Sequence, residues 1–415
     1  MKKRKLLTLW GSLFLVLVLS AIPFLTSCSS NSTTTAANTS TTTSAAAPLD
    51  LKIGVMSCLT GWFAQHDLIE WQELQTVAQY INDNGGITIQ GQRYNLDLIV
   101  EDYKSTDDGC TAAANKLISE GIKFVIGPNA YFPADVGKIF ADAKVIDVIG
   151  YNTLTPGQLG SDTPYTFLGY DGTLEAAAGA ATYMVKNYPN VKSVVLAMPD
   201  DGSVPWVQPA ATTLLQNMGI KVLGCVSFDN ASTDFSPYAT KLASYNADAI
   251  LYINGNMDGF GNILKNLRAL GNTKLVAGAN NNGVADAIKV AGKDAGINFF
   301  TESNSPGDPG TPSMTLQIEQ SLIAKYGGNR QFIFMESNGL YELSQVLNKA
   351  QSLDPNVVKT TWENLNTIET LFGTANMGGL KTYGINHVCA HPLPITVADS
   401  NGNITFGGWQ SITIP

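Results

Sequence analysis

The chain has 415 residues, a formal net charge of −9, and 44% hydrophobic residues. This length is too great for one ordinary hydrophobic core and suits two lobes. The negative charge argues against nucleic acid or anionic lipid as a partner, because both are themselves negatively charged.

The N-terminus has the features of an export signal. Lys2-Lys3-Arg4-Lys5 is a positive stretch, residues 6–25 are almost wholly apolar, and Cys28 follows at once. The apolar run is long enough to span a bilayer, so a transmembrane anchor is the alternative interpretation. Leu25-Thr26-Ser27-Cys28 resembles the lipobox of bacterial lipoproteins, which implies that residues 1–27 are removed and that Cys28 carries a lipid.

Residues 28–49 are rich in Ser, Thr and Ala, and they have few large side chains to bury. Such a composition predicts a flexible tether. Removal of residues 1–27 takes away four positive charges and no acids, so the formal net charge falls from −9 to −13. The chain has no second apolar run of spanning length, and we expect the folded part to lie outside the cytoplasm, held to the bacterial membrane by its lipid.

Strand and helix patterns alternate from residue 51 onward. Short apolar runs predict strands, and apolar stripes at helical spacing predict helices. Regular alternation predicts an α/β fold with a doubly wound parallel sheet. In this first part the strands are predicted at 51–56, 95–101, 124–126, 145–149 and 165–168, and the helices at 67–82, 111–119 and 133–143.

The alternation then restarts, which predicts a second lobe of the same class. Residues 297–301 begin a return crossing, and the Pro- and Gly-rich residues 303–312 form a loop. The end of the chain predicts a hairpin from 394–398 and 404–408. The strands of the second part are predicted at 193–198, 221–228, 249–253 and 274–278, and the helices at 173–186, 206–218, 237–245, 259–270, 284–291, 313–326, 336–351 and 356–366.

The stretch 123–136 predicts a ligand-binding turn. Phe124-Val125-Ile126 is an apolar strand, Gly127-Pro128 ends it, and Pro133 suits the first turn of a helix. In open parallel sheets, ligands bind beyond the carboxyl ends of strands, near the free amides of helix N-termini.

Several motifs after residue 50 resemble the periplasmic binding proteins of the branched-chain amino acid type, which serve ABC importers. The matching runs are L-T-G-W-F-A-Q-H at 59–66, I-N-D-N-G-G-I at 81–87, L-x-L-I-V-E-D at 96–102, K-L-I-S-E-G-I-K-F-V-I-G-P at 116–128 and I-N-H-x-x-x-x-P at 385–392. The resemblance implies two lobes joined by three crossovers (the type I periplasmic binding fold), with a small ligand held between the lobes. The crossovers are expected near residues 167–171, 299–303 and 371–379, so that 50–169 with 302–372 form lobe 1 and 170–301 with 373–415 form lobe 2.

The same resemblance implies a set of ligand contacts. Those of the first lobe follow its strands, and those of the second lobe lie near a helix start and in two later turns. Asp171, at the first crossover, is the acid placed to bind an ammonium group. The implied contacts are His66, Asn129, Ala130, Tyr131, Asn152, Thr153, Leu154, Asp171, Trp206, Asn256 and Asn281.

One departure from the family pattern affects the ligand. Where the family usually has an acid that binds an α-ammonium, this chain has Asn280-Asn281-Asn282. A neutral amide orients an ammonium but does not neutralise it, and charged hydrogen bonds are roughly twice as strong as neutral ones. The prediction is a small ligand that is an amino acid or its derivative, or else an uncharged or carboxylate-bearing aromatic compound.

Other chemistry has weaker support. His387, Cys389 and His391 alternate along a predicted strand and would suit a metal, but an Asn-His pair near this position is common in the family, and we predict no metal and no cofactor. Cys58 and Cys110 follow neighbouring strands, so a disulfide between them is one of the open pairings. No nucleophile motif such as G-x-S-x-G occurs, so we predict no enzyme.

Two functions remain. The first is a lipid-anchored receptor that delivers its ligand to an ABC permease in the cytoplasmic membrane. The second is a sensor that reports its ligand to a membrane signalling partner.

Overall fold

Strands and helices alternate along most of the chain in the computed structural model, which describes residues 47–129, 135–154, 157–200, 202–254, 257–279, 283–302, 308–328 and 332–415. These residues form two mixed sheets in which parallel pairing dominates. We call the first sheet and the helices packed on it the first lobe, and the second sheet with its helices the second lobe.

The first sheet has nine strands in the order β12-β13-β14-β6-β5-β4-β1-β3-β2. Its centre is parallel, and β2, β12 and β13 join by antiparallel pairing at the two edges. The central strands are continuous apolar runs because helices cover both of their faces. The strands are β1 (Leu49–Ser57), β2 (Ile87–Ile89), β3 (Gln92–Asp102), β4 (Phe124–Ile126), β5 (Ile146–Ile149), β6 (Thr166–Leu168), β12 (Thr367–Thr370), β13 (Gly373–Gly378) and β14 (Val388–Ala390).

The second sheet has seven strands in the order β16-β15-β11-β10-β9-β7-β8. The five strands from β11 to β8 pair in parallel, and the hairpin β15-β16 adds to β11 in antiparallel fashion. The strands are β7 (Ser193–Pro199), β8 (Lys221–Phe228), β9 (Ala249–Ile253), β10 (Leu275–Ala279), β11 (Phe299–Glu302), β15 (Leu393–Ala398) and β16 (Ile404–Gln410).

Helices cover both faces of each sheet. Their starts follow ordinary capping chemistry: the Thr106 hydroxyl accepts from the Gly109 N–H, and Pro355 begins a helix capped by Asp354. The helices are α1 (Ala64–Asp83), α2 (Asp107–Ser119), α3 (Asp135–Ala143), α4 (Thr173–Asn187), α5 (Val204–Asn217), α6 (Ser236–Ser244), α7 (Met257–Ala269), α8 (Val284–Ala291), α9 (Ser313–Tyr326), α10 (Met335–Ala350), α11 (Pro355–Glu363) and the single turn α12 (Leu380–Tyr383).

Each lobe has a core on either side of its sheet. In the first lobe, α1, α9, α10 and α11 bury residues such as Leu74, Leu343 and Trp362 on one face. On the other face, α2 and α3 bury Leu117 and Phe140. In the second lobe, α4 and α5 cover one face, and α6, α7 and α8 cover the other. Burial of one such side chain contributes about 1.5–3 kcal/mol to the free energy of folding. This packing holds the strands of each sheet in place, and with them the turns that follow the strand ends.

The chain passes between the sheets three times. It leaves the first sheet after β6, because α4 packs against β10 and β11 of the second sheet. It leaves the second sheet after β11, because α9 packs against α1. The third passage lies between β14, which pairs with β6, and β15, which pairs with β11.

The third passage differs from the predicted crossover at 371–379. Residues 373–390 form β13, α12 and β14, and both strands belong to the first sheet, so the predicted assignment of these residues to lobe 2 does not agree with the strand pairing. That crossover was expected from the family resemblance alone. In the structure Ile368 and Ala375 bury their side chains in the core beneath α10, which holds the β12-β13 hairpin on the first sheet.

Candidate functional site

Residues that follow the parallel strands of the first sheet gather at one edge of that sheet. β1, β4 and β5 are neighbours, and they end at Ser57, Ile126 and Ile149. The carboxyl ends of parallel strands share an edge, which is where α/β sheets bind ligands. Asn129 and Asn152 lie in the turns that follow, and both are buried. Their role as ligand contacts remains a prediction.

Close packing beneath these turns explains why glycine occupies two of their positions. Gly127 has a φ of +83°, and a Cβ at this position would lie 2.5 Å from the Met56 carbonyl oxygen. The following Gly127–Pro128 peptide is cis. A Cβ on Gly150 would lie 3.0 Å from the Cβ of Met335 in α10. The N-terminal turn of α10 therefore lies directly under the edge that carries Asn129 and the turn after β5.

Tyr151 connects the edges of the two lobes. Its Oη lies 2.9 Å from the Thr173 Oγ1 at the start of α4, and it donates to the Asn254 Oδ1 at 3.3 Å. Asn254 follows β9 of the second sheet. The strand ends of the two sheets thus face each other across this hydroxyl. We call Asn129, Tyr151, Asn152, Thr173 and Asn254 the strand-end site.

The other residues of the turn after β5 are largely engaged with the protein itself. The Asn152 Oδ1 accepts from the Leu154 N–H at 3.0 Å, and its Nδ2 has no hydrogen bond of good geometry with a described group, although the Tyr383 hydroxyl lies nearby. Thr153 donates to the Gln158 Oε1 through both its N–H and its hydroxyl. Leu154 is partly buried at a φ of +59°.

His66 lies in the first turn of α1, where the sequence places a residue covering the ligand. Its ring stacks on Phe63 with centroids 4.7 Å apart, and its Nδ1 lies 3.1 Å from the Asp67 Oδ1. Asp67 is fully buried, and it accepts from the Cys58 N–H and the Tyr103 hydroxyl. These contacts fix the imidazole beside the turn that follows β1.

Four buried carboxyl groups meet where α1 packs against the start of α10. Glu73 accepts from the N–H groups of Ile333 and Phe334, and Glu70 accepts from those of Met335 and Glu336. Two carboxyl groups thus cap the N-terminus of α10, a favourable place for negative charge, although burial and then the charge of Glu336 raise the pKa of Glu70 well above its usual range. The other two carboxyl groups are those of Asp67 and Glu336. Glu336 is 2% exposed, and neither of its carboxyl oxygens has a hydrogen bond of good geometry with a described group. Burial, and then the charges of Asp67 and Glu73, raise the pKa of Glu336 well above its usual range.

The second lobe brings fewer described candidates to the site. Trp206, in the first turn of α5, is 46% exposed, and its role as a ligand contact remains a prediction. Asp171 is buried just before α4. Glu302, for which the sequence pattern predicts no role, is buried at the end of β11. Ala130, Tyr131, Asn256 and Asn281 lie outside the described residues.

Different partners hold apart the side chains of His387, Cys389 and His391. The His387 ring nitrogens lie 2.7 Å from the Thr166 carbonyl oxygen and 2.8 Å from Glu363. Cys389 lies against Met377, and His391 contacts the rings of Tyr170 and Phe372. Burial lowers the pKa of His391 to about 4. Within the described ranges, no group of three or more His, Cys, Asp or Glu residues has the arrangement of a metal site.

Cys58 and Cys110 are free thiols, against the disulfide considered for them. Both are buried in the same apolar cluster, on the face covered by α2 and α3. Burial raises the pKa of Cys58 to about 11, which leaves the thiol protonated and unreactive.

Sequence comparison identifies the family. The family model described as "Periplasmic binding protein" matches residues 50–403, and the chain belongs to this family. A Leu/Ile/Val-binding protein homolog 3 of Brucella melitensis is 27% identical over 266 residues, which is 62% of this chain and 68% of the relative. A Leu/Ile/Val-binding protein of Citrobacter freundii is 26% identical over 345 residues, which is 78% of this chain and 85% of the relative.

Solved structures agree on the fold. The branched-chain amino acid transporter substrate-binding protein LivJ of Streptococcus pneumoniae, in complex with isoleucine, matches with a TM-score of 0.62 at 17% identity, covering 88% of this chain and 99% of that one. A branched-chain amino acid ABC transporter periplasmic ligand-binding protein of Burkholderia xenovorans matches with a TM-score of 0.68 at 16% identity, covering 87% and 96%. The fold is the type I periplasmic binding protein fold, as predicted.

Residues 1–46, with Cys28, lie outside the described residues. In the part of the chain that the structure describes, no helix has both the length and the apolar character needed to cross a bilayer.

Proposed function

We propose that this protein is an extracytoplasmic receptor that binds a small solute between its two lobes and delivers it to an ABC importer. The ligand is an amino acid or a related small organic molecule, and it is bound without being chemically changed. Residues 1–27 serve as the export signal, and a lipid on Cys28 holds the receptor at the membrane.

The observation that supports this proposal most strongly is the meeting of the two strand-end edges at Tyr151 and Asn254. A ligand in this position contacts both lobes at once, so its binding favours one relative arrangement of the lobes. Relatives in the same family carry the name Leu/Ile/Val-binding protein, which favours an amino acid as ligand.

Mass spectrometry of small molecules that co-purify with the protein, followed by a thermal-shift screen, tests the solute-binding proposal. A ligand at one hundred times its dissociation constant should stabilise the protein by about 2.7 kcal/mol. Trp206→Ala should reduce this shift, and Val357→Ala, an exposed apolar change on α11, should not. If no small molecule co-purifies and none shifts the melting temperature, the proposed function is wrong.

The anchor has its own test. Cys28→Ala should abolish incorporation of a radiolabelled fatty acid and release the protein from the membrane fraction. A substituted protein that stays in the membrane would show that the apolar run of residues 6–25 is the anchor instead.

A further inference from the structure

The residues after the last strand connect the two lobes once more, in addition to the three passages. β16 belongs to the second sheet and ends at Gln410. Residues 412–415 lie against β13 and α12 of the first lobe, so Ser411 alone separates the two attachments. We call residues 411–415 the strap.

Hydrogen bonds hold the strap on the first lobe. The Asn376 Nδ2 in β13 donates to the Ile412 carbonyl oxygen at 3.1 Å. The N–H of the N-cap residue of α12 donates to the Ile414 carbonyl oxygen at 2.9 Å. The Pro415 carbonyl oxygen accepts from two N–H groups of α12, at 2.9 and 3.0 Å, and from the Thr382 hydroxyl at 2.9 Å. The strap is therefore bonded along its length.

The strap also fills an apolar cluster to which both lobes contribute. Ile412 and Ile414 are buried in it, and a Cβ on Gly378 would overlap the Ile414 carbonyl oxygen. Release of the strap would expose both isoleucines, which is unfavourable in water. The other buried members of the cluster include Ile149, Leu168, Val388 and Ala390 from the first sheet, and Ala178 of α4 and Leu393 of β15 from the second lobe.

The strap runs beside the third passage. Leu393, the first residue of β15, pairs with Gln410, the last residue of β16. On the first lobe, β14 pairs with β13, the strand whose Asn376 holds the strap. Neighbouring strands lie about 4.8 Å apart. Two short connections, residues 391–392 and Ser411, thus join the lobes side by side.

The helical turn that holds the strap also contacts the second lobe. The Tyr383 hydroxyl of α12 donates to the Glu175 Oε1 of α4 at 3.0 Å. The Glu175 Oε2 accepts from the Gly172 N–H, at the start of α4, at 2.9 Å. Thr173, the next residue, contacts Tyr151 of the strand-end site. The strap thus supports the start of α4 through α12.

We propose that the strap and the third passage form a double connection that limits how far the lobes separate and twist in the ligand-free protein. One residue spans at most about 3.3–3.6 Å, so Ser411 leaves little slack. Two short links side by side restrict the lobes more than one link does, and bending across both links is the motion that remains.

The consequence for binding rests on the proposed function. A ligand between the lobes binds the arrangement in which their strand ends meet. The apparent dissociation constant is the intrinsic constant divided by the fraction of protein in that arrangement. By keeping the lobes near it, the strap raises the apparent affinity without touching the ligand.

Lengthening the strap while keeping its docking contacts tests the proposal. Two glycines inserted between Gln410 and Ser411 add about 7 Å of slack, at about 3.5 Å per residue. Two glycines inserted between Gly327 and Gly328, an exposed turn within the first lobe, are the control. Small-angle X-ray scattering of ligand-free protein should give a larger radius of gyration for the strap insertion than for the control or the unmodified chain.

Hydrogen exchange shows whether the lengthened strap stays docked. The Lys381 and Thr382 N–H groups, which donate to Pro415, should remain protected in the strap insertion. A radius equal to that of the control would overturn the proposal, whether or not these amides stay protected. Tyr383→Phe, which removes only the bond to Glu175, should enlarge the radius by a smaller amount. It decides the question if the insertion prevents folding, and an unchanged radius there overturns the proposal.

The same variants separate this proposal from the proposed function. The radius is measured without ligand, so it tests the strap even if no small molecule co-purifies, a result that counts against the proposed function alone. Titrated with the small molecule that co-purifies, the strap insertion should bind more weakly than the control. Equal affinities would show that the strap does not prepare the site, while solute binding itself would stand.

Discussion

At the scale of single residues, Tyr151 has an unusual position because one hydroxyl serves both lobes. It is buried, and its hydrogen bonds to Thr173 and Asn254 are made between segments that belong to different sheets. A hydrogen bond between the two lobes stabilises the relative arrangement in which it forms. It contributes nothing to an arrangement in which it is broken.

Tyr151→Phe should therefore weaken ligand binding with little effect on folding. The lost hydrogen bond is worth about 0.5–1.5 kcal/mol, which corresponds to an affinity about 2- to 10-fold lower by calorimetry. Tyr165→Phe is the matched control, since its hydroxyl bonds Asn356 on the outer side of the first lobe. Equal affinities for Tyr151→Phe and the unsubstituted protein would contradict a role for this bond in the ligand-bound arrangement.

Local residue patterns place some candidate residues at a sheet edge, and they give no sign of other groups that the fold buries nearby. Asn129, Asn152 and Thr153 follow apolar strands directly, and a short run of sequence is enough to place them at a sheet edge. Glu302 ends the apolar run F-F-T-E, which gives no sign that its carboxyl is buried. Burial and then the charge of Asp171, which is far away in the chain, raise the pKa of Glu302.

At the scale of elements, the N-terminus of α10 combines a favourable and an unfavourable electrostatic arrangement. Glu70 and Glu73 accept its free N–H groups, but Glu336 is buried beside them, and its carboxyl oxygens have no hydrogen bond of good geometry with the part of the chain that the structure describes. Because the folded-state pKa of Glu336 is raised, the folded form binds its proton more tightly than the unfolded chain does. Its contribution to stability is fully present below the unfolded pKa of about 4.5 and is lost as pH rises through the folded pKa.

Glu336→Gln should therefore stabilise the protein at pH 8 relative to the unsubstituted chain, with the advantage shrinking toward pH 4.5. Melting temperatures across this range measure the difference. Glu363→Gln is a control of opposite sign, because the hydrogen bond from His387 helps lower the pKa of Glu363 to about 2. That stabilisation is present above the unfolded pKa of Glu363, so its loss should destabilise the protein at pH 8. If the difference in melting temperature between Glu336→Gln and the unsubstituted protein did not change with pH, a buried carboxylate at Glu336 would not be the cause of the difference.

The packing of α10 on the first sheet depends on two glycines. A Cβ on Gly339 in α10 would lie 2.7 Å from the Val148 Cγ1. A Cβ on Gly169, which follows β6, would lie 2.6 Å from the Gly339 Cα. Gly339→Ala should lower the free energy of unfolding by about 1–3 kcal/mol through overpacking, as measured by urea denaturation. Gly328→Ala, where the added Cβ would meet only Ile323 at 3.7 Å, should change it far less.

The regular βα units were predicted from sequence, and several irregular elements were not. The parallel strands are continuous apolar runs bounded by turn residues, which single-sequence patterns detect well. β2 and β12 are short edge strands that pair with their chain neighbours β3 and β13, and Gly and polar residues interrupt β13. β14 pairs with β6, a strand distant in the chain, and this pairing keeps residues 373–390 on the first sheet, so the third passage was placed too early in the sequence.

At the scale of the whole molecule, the proposed function requires that the two lobes rotate about their three connecting passages and that a ligand bound between them favours one relative arrangement. A ligand bound to one lobe alone leaves the relative arrangement of the lobes unchanged. A ligand that contacts both lobes shifts the population toward the closed arrangement by its differential affinity for that arrangement.

Small-angle X-ray scattering of the purified protein tests this behaviour directly. The radius of gyration should fall when a saturating concentration of the ligand identified by the thermal-shift screen is added. Tyr151→Phe should show a larger radius than the unsubstituted protein without ligand, because it removes the hydroxyl that bonds Thr173 at the start of α4 and Asn254 of the second lobe. Saturating ligand should bring the two proteins to the same radius, since contacts with the ligand replace the missing bond. A radius that stays constant on ligand addition in both proteins would place the bound ligand on one lobe and remove the role of the strand-end site in closure.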